Sequence, residues 1–373
     1  MKLAIKELLY SKGRFIMIGL IIVLISWLVF ILSGLGTGLS KLSTGVLSET
    51  EYAGMVLEEG AEFSLSKSSV NRSLAEEISE QDGVTDTAPI NLFRNSMRRE
   101  GTADSDAKIT DIVLIGVEPD SFMHPEIVEG DDWESSEDNQ MIADASLKNE
   151  GYALGDTIVL DDIDKEFTIT GFTEDQTLYH QSSLFLPMDD FQDLRPSQGD
   201  AEDEAETVSG IIVQGNDVDL DTFLEGETDV EFGTKEETIN AIPGYVAENA
   251  TIMMMLWFLM IISAFILGVF FYVLTNQKTN QFGVLKAIGG SNGFIIRSVI
   301  SQVFILSLVS VLVGIGLTYL TVIFLPEAMP FHLEVSMVVI YSLVLLAISV
   351  LSSLFSVVKI TRIDPLTALG RGE

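Results

Sequence analysis

Four apolar runs, Phe15–Gly36, Thr251–Thr275, about Ile295–Leu325 and Val335–Val358, dominate what this chain can fold into. Each exceeds the roughly 20 residues a helix needs to cross a bilayer. A backbone in hydrocarbon must satisfy its own hydrogen bonds, so such runs are helices. A mean hydropathy of +0.36 agrees with them, and the four runs together argue against a soluble protein. The first run follows Lys2, Lys6, Lys12 and Arg14, as a signal peptide would. It is longer than such a peptide and lacks a small-residue cleavage pattern before Lys41, so it is expected to stay as the first spanning helix.

Charge then assigns sides. Between Lys41 and Ala250 the chain carries 50 acidic and 11 basic residues, against 5 and 10 in the remainder. The basic excess sits at the N-terminus, in the stretch holding Lys278, Lys286 and Arg297, and at Lys359, Arg362 and Arg371. The positive-inside rule places these three regions in the cytoplasm. With four spans, the acidic segment and the short Pro326–Glu334 loop then both lie outside. The predicted organisation is residues 1–40 for the N-terminus and first helix and 41–250 for an extracytoplasmic domain. The second helix follows at 251–275, a cytoplasmic coupling segment at 276–294, and the last two helices with the C-terminus at 295–373.

The inserted segment is long enough to be a domain. Ile112–Val117, Thr157–Leu160, Phe167–Gly171 and Ser183–Leu186 read as strands, and Ser68–Gln81 and Met188–Leu194 as helices. Glu129–Asn139 and Pro196–Gly210 are acidic and poor in large apolar residues, and read as exposed loops. The fold class is therefore an α-helical membrane protein of four transmembrane helices, with an α+β extracytoplasmic domain inserted between helices 1 and 2. So acidic a domain stays soluble by self-repulsion and is unsuited to nucleic acid or anionic lipid.

The chain offers little chemistry of its own. It has no cysteine, which removes disulfides, thiolate metal sites and cysteine catalysis. There is no G-x-x-x-x-G-K-[ST] loop and no H-E-x-x-H, and His124, His180 and His332 are scattered, so no nucleotide hydrolysis and no protein metal site are expected. Between helices 2 and 3, Asn276–Gly293 carries Lys278 and Lys286 with no acid and reads as a short amphipathic connector. That combination fits the membrane half of an ABC-type machine, a non-catalytic subunit.

Ala145-Ser146-Leu147, Gly151-Tyr152, Gly155-Asp156-Thr157-Ile158 and Phe167-Thr168-Ile169-Thr170-Gly171 resemble the outer domain of MacB-type ABC permeases. Gly283-Val284-Leu285-Lys286-Ala287-Ile288-Gly289 resembles their cytoplasmic signature, and the ending Lys359–Leu369 also fits. Within that family, Met1–Glu7, Leu178–Ser183, Gly244–Glu248, Phe270–Thr275 and Pro330–Leu333 look like the permeases of haem-efflux pumps. The resemblance implies a homodimer with two cytoplasmic ABC ATPase subunits. It also implies haem as transported substrate, taken from the membrane and its lipid, with no resident cofactor.

On that reading Tyr245, Glu248, Ile252, Met255 and Leu259 share one stripe of helix 2. Glu248 or Met255 is the candidate iron ligand and Tyr245 a propionate partner, although His, Cys, Met and Tyr are the commoner axial choices. The ordinary roles stand beside these: an interfacial aromatic for Tyr245, a headgroup-level carboxylate for Glu248 and adaptable packing for Met253-Met254-Met255. Trp27, Phe30 and Gly34 share a stripe of helix 1, where Gly34-x-x-x-Gly38 admits either another helix or a flat ligand. Tyr179, with His180 beside it, is a candidate cap for the site, and the ordinary role of the two is a surface pair. On the connector, Phe282 and Leu285 are expected to seat in the ATPase, with Gly283 and Lys286 in the same coupling patch.

Overall fold

The computed structural model describes residues 12–100, 109–133, 139–161, 163, 165–194, 207–224, 229–326 and 329–361. A long helix α1 (Lys12–Ser48) leads into β1 (Gly54–Glu58), β2 (Val70–Asn71), α2 (Leu74–Ser79), β3 (Val84–Arg99), β4 (Thr110–Val117) and β5 (Glu129–Gly130). Next come β6 (Gln140–Asp144), β7 (Thr157–Leu160), β8 (Glu166–Thr173), β9 (Thr177–Leu178), β10 (Gln181–Pro187) and α3 (Met188–Gln192). Then follow β11 (Thr207–Val208), β12 (Gly210–Gly215), α4 (Asp221–Leu224), β13 (Val230–Thr234) and α5 (Lys235–Asn240). The chain continues through α6 (Tyr245–Gln277), α7 (Thr279–Ala287), α8 (Asn292–Val322) and α9 (Val335–Thr361). It divides into two units, 39–249 and 1–38 with 250–373.

The inserted unit is built on one strand doing two jobs. The main sheet runs β13-β1-β12-β3-β4-β10-β6-β8-β5, and β7 pairs with both β3 and β8. Strands β3, β4, β10, β6, β8 and β7 thus close a ring, while the first half of β3 belongs to the open sheet with β12, β1 and β13. This is why β3 needs 16 residues. Alternation along the strands follows from the two-residue period. Ile112, Leu114, Leu184, Leu186, Met141, Phe167, Ile169, Ile158 and Leu160 belong to one buried cluster. Val113, Ile115, Ile142, Phe185, Ile90 and Leu92 belong to a second, with Val46 and Leu47 from α1. Both faces of β4 are covered, so it reads as an unbroken apolar run. Each such side chain contributes roughly 1.5–3 kcal/mol on burial, which outweighs the unit's exposed ion pairs at about 0–1 kcal/mol each.

Two sequence expectations need correction. Only Leu74–Ser79 of the expected Ser68–Gln81 helix is α-helical, because Val70 and Asn71 pair with Val208 and Thr207, and the Asn71 side chain accepts from Ser73 N at 2.9 Å to turn the chain. The acidic segments are not wholly loops. Glu129-Gly130 pairs with Phe172 and Gly171, and Thr207, Val208 and Gly210 are strand residues. Residues 134–138 and 196–206 of those segments lie outside the described residues.

Asp144 ties the ring together. Its carboxylate, 2% exposed, accepts from Ser146 N at 2.9 Å, from the Ser146 hydroxyl and from Gln176 N at 2.8 Å. Burial pushes its carboxyl above the usual aspartate value against those hydrogen bonds. Asp144→Ala orphans these donors and is expected to destabilise the inserted unit by about 1–3 kcal/mol; denaturant unfolding of the full chain followed by amide exchange in β6 and β10 checks it.

Among the described residues, four helices, α1, α6, α8 and α9, are long and apolar enough to cross a membrane. Their packed faces carry Ser26, Ser263, Ser310, Thr318, Ser349 and Ser356, all at most 4% exposed. Small residues of this kind let membrane helices approach closely.

Candidate functional site

Strands β9 and β10 pair Leu178 with Gln181, leaving Tyr179 and His180 as a two-residue hairpin loop. Both have positive φ, 55° and 61°. Such a loop demands this backbone and ordinarily uses Asn or Gly, and a non-glycine residue in it is strained by about 1–3 kcal/mol. The strain is offset by docking on the end of α1 that lies in the inserted unit. Tyr179 N donates to Ser43 O at 3.1 Å and His180 N to Leu42 O at 3.0 Å. Thr177 Oγ1 donates to Lys41 O at 2.9 Å, and Lys41 Nζ lies 2.8 Å from both Asp175 and Glu49.

The loop points its two side chains in opposite directions. Tyr179 turns into the domain core, where burial raises its phenol above the usual value although Ser66, Ser64 and Arg94 act the other way. His180 points at Glu248. Its Nε2 stands 3.0 Å from Ser43 Oγ and 3.2 Å from Glu248 Oε1, and Ser43 Oγ donates to Glu248 Oε2 at 3.4 Å. Serine, histidine and carboxylate meet here, yet a nucleophile relay needs the acid and the serine on different ring nitrogens. Here Nε2 is the nitrogen nearest Ser43 and also the one facing Glu248, so the trio is a hydrogen-bonded cluster offering imidazole and carboxylate donors.

The predicted haem residues are dispersed by the packing. Tyr179 is half-buried and packs against the domain's core cluster, as does Tyr245. Phe30, 1% exposed, is enclosed among the membrane helices, so it offers no face to a ligand here. Trp27 Nε1 donates to Thr321 Oγ1 at 3.0 Å. The Gly34-x-x-x-Gly38 face is occupied: a Cβ on Gly34 would fall 2.4 Å from the Phe331 ring, one on Gly38 2.4 Å from Pro330 O, and His332 N donates to Gly34 O at 3.0 Å. The loop before α9 fills that face. Met255 stays open at 45% exposure, as do Met253 and Met254. Sequence reading weighed His180 only together with Tyr179, as a cap or an ordinary surface pair, and passed over Ser43.

An acidic cavity of about 500 Å³ lies elsewhere in the inserted unit, lined by Glu49, Glu51, Glu126, Glu174 and Asp175 with His124. Neither Glu248 nor His180 reaches it, and its charge opposes carboxylate-bearing ligands.

The connector also departs from expectation. Phe282 packs against the membrane cluster and Gly283 is buried, because a nine-residue helix laid against the bundle must bury one face. Leu285 and Lys286 are half-buried. The exposed large apolar residues are Val284 at 51% and Ile288 at 76%, one turn apart.

Residues 253–365 match the FtsX-like permease C-terminal family. Two staphylococcal proteins named HrtB, for a proposed hemin transport system permease role, align along the whole chain. The one from Staphylococcus epidermidis is 27% identical over 376 residues and that from Staphylococcus haemolyticus 24% over 373, each covering 100% of both chains. Along its whole length the chain is similar to these HrtB permeases. The FtsX-like match falls on the second to fourth of the four span-capable helices, which indicates a multi-pass membrane protein and agrees with the MacB-type resemblance read from the sequence. Among solved structures, the periplasmic region of MacB from Actinobacillus actinomycetemcomitans aligns with 45% of this chain and 79% of its own (TM-score 0.32, 16% identity). The extracellular domain of YknZ from Gram-positive bacteria aligns with 48% of this chain and 99% of its own (TM-score 0.35, 13% identity).

Proposed function

We propose that this HrtB-like permease is the membrane subunit of an ABC efflux pump that exports haem from the membrane, driven by a separate cytoplasmic ATPase. It works as a homodimer, with both termini and α7 in the cytoplasm and the acidic domain outside. The cargo assignment is carried by end-to-end similarity to proteins named for hemin transport. Glu248 supports it, as a carboxylate held ready by His180 and Ser43, with His180 the commoner type of iron ligand. On α6, Met255 is 45% exposed and offers an open thioether to a hydrophobic cargo arriving sideways. The FtsX-like match favours one other reading, a signalling permease through which no cargo passes.

Protein purified from cells grown with haem is expected to carry a Soret band, shifted or lost in Glu248→Ala, His180→Ala and Met255→Ala and kept in Met253→Ala. Losing a placed polar partner costs a mostly apolar ligand more than losing one wall residue. No Soret band in the wild-type protein would turn the assignment to signalling or to another hydrophobic cargo such as a peptide, an antibiotic or a lipid-linked molecule.

A further inference from the structure

Lys278 is the residue between α6 and α7, and it is only 8% exposed. Its backbone ends one helix and begins the next: Lys278 N donates to Thr275 O at 3.1 Å, and Lys278 O accepts from Phe282 N at 3.0 Å. With φ −94° and ψ 6° it is the bend itself. Its side chain turns inward. Nζ donates to Gln302 Oε1 at 2.9 Å and lies 5.1 Å from the centre of the Phe15 ring. Gln302 is 2% exposed within α8, and Phe15 is 3% exposed near the start of α1. The ammonium therefore contacts two membrane helices, α8 and α1, while the backbone of the same residue joins α6 to the connector.

An ammonium at a helix C-terminus meets favourable carbonyl dipoles, and an aromatic face adds a cation–π contact. Burying it still carries a desolvation cost that an apolar side chain of similar size, such as Met, would avoid. What the charge supplies is direction. Apolar contacts slide past one another at little cost, whereas a buried hydrogen bond must be kept or broken. A pivot of α7 about residue 278 is thereby delivered to Gln302 on α8 and Phe15 on α1.

We infer that Lys278 is a positioning residue for energy coupling, the joint that passes movement of the connector to helices α1 and α8 through Gln302 and Phe15. The inference rests on the proposed partnership with an ATPase. The test uses the full permease with its ATPase in nanodiscs, and a reporter Leu28→Cys on the exposed side of α1, since the chain has no cysteine of its own. Thiol labelling with and without ATP reads the movement, ATP hydrolysis reads the engine and thermal melting reads the fold. Lys278→Met and Gln302→Leu are each expected to keep ATP hydrolysis within about twofold while the ATP-dependent change in labelling falls about tenfold. The double variant restores an apolar contact, so it should melt like wild type yet remain uncoupled, no worse than either single change, because both remove one link. A wild-type labelling response in Lys278→Met or in the double variant overturns the inference. So does parallel loss of melting temperature, hydrolysis and labelling in all three, which would mark Lys278 as structural only. A wild-type protein that shows no ATP-dependent response with its ATPase overturns the proposed function instead.

Discussion

Val284→Asp combined with Ile288→Asp is expected to abolish ATP-driven efflux while leaving haem bound and the membrane unit folded. The two side chains are the exposed large apolar residues of the connector, one helical turn apart. A few apolar anchors at the centre of an interface dominate its binding energy, and a carboxylate buried in their place costs several kcal/mol. The expected loss of ATPase association is on the order of a hundredfold or more. Co-purification of the ATPase and hemin sensitivity of cells both read it. Phe282→Asp should behave differently, lowering the melting temperature, because that ring packs inside the membrane unit. Full efflux by the Val284 and Ile288 double variant would place the docking surface elsewhere.

Gly45→Val is expected to be nearly as damaging, by another route. A Cβ at Gly45 would stand 2.3 Å from Asp175 O and 3.0 Å from Thr177 O, so it meets backbone, which cannot swing aside as a side chain can. The hairpin would have to leave the helix, breaking the bonds to Lys41, Leu42 and Ser43 and withdrawing His180 from Glu248. Overpacking of this kind costs about 1–3 kcal/mol, before those hydrogen bonds are counted. Amide exchange at Tyr179 and His180 should rise steeply, and any haem signal that depends on His180 should fall with it. Unchanged protection of both amides would show that the hairpin tolerates the extra atoms.

The membrane helices were legible because one physical requirement, about 20 apolar residues, fixes both their type and their position. Strands β4, β7, β8 and β10 were legible as short apolar runs. Strand β3 was not. Its Thr85, Asp86, Thr87, Pro89, Asn91, Arg94 and Asn95 interrupt any simple alternation, because its two halves serve different sheets and Asn91 is buried to bond Ser209 N at 3.1 Å. Within the site, Glu248 could be singled out as a carboxylate at the mouth of a long apolar helix. Its partners could not, since Ser43 and His180 lie 205 and 68 residues away in the chain. Which of Tyr179 and His180 packs inward was hidden for a related reason: in a two-residue turn it depends on backbone angles that composition does not reveal.

The ring of strands also sets a timetable for biogenesis. Strand β1 follows directly after the first spanning helix, yet Gly54 pairs with Thr234, and β4 waits for β10, some seventy residues later. Contacts so distant along the chain close slowly. Nearly all of 54–234 must therefore be synthesised with unpaired strand edges before the domain can seal. Maturation of this permease will be limited less by insertion of its helices than by how long those edges can be kept from pairing with a neighbour.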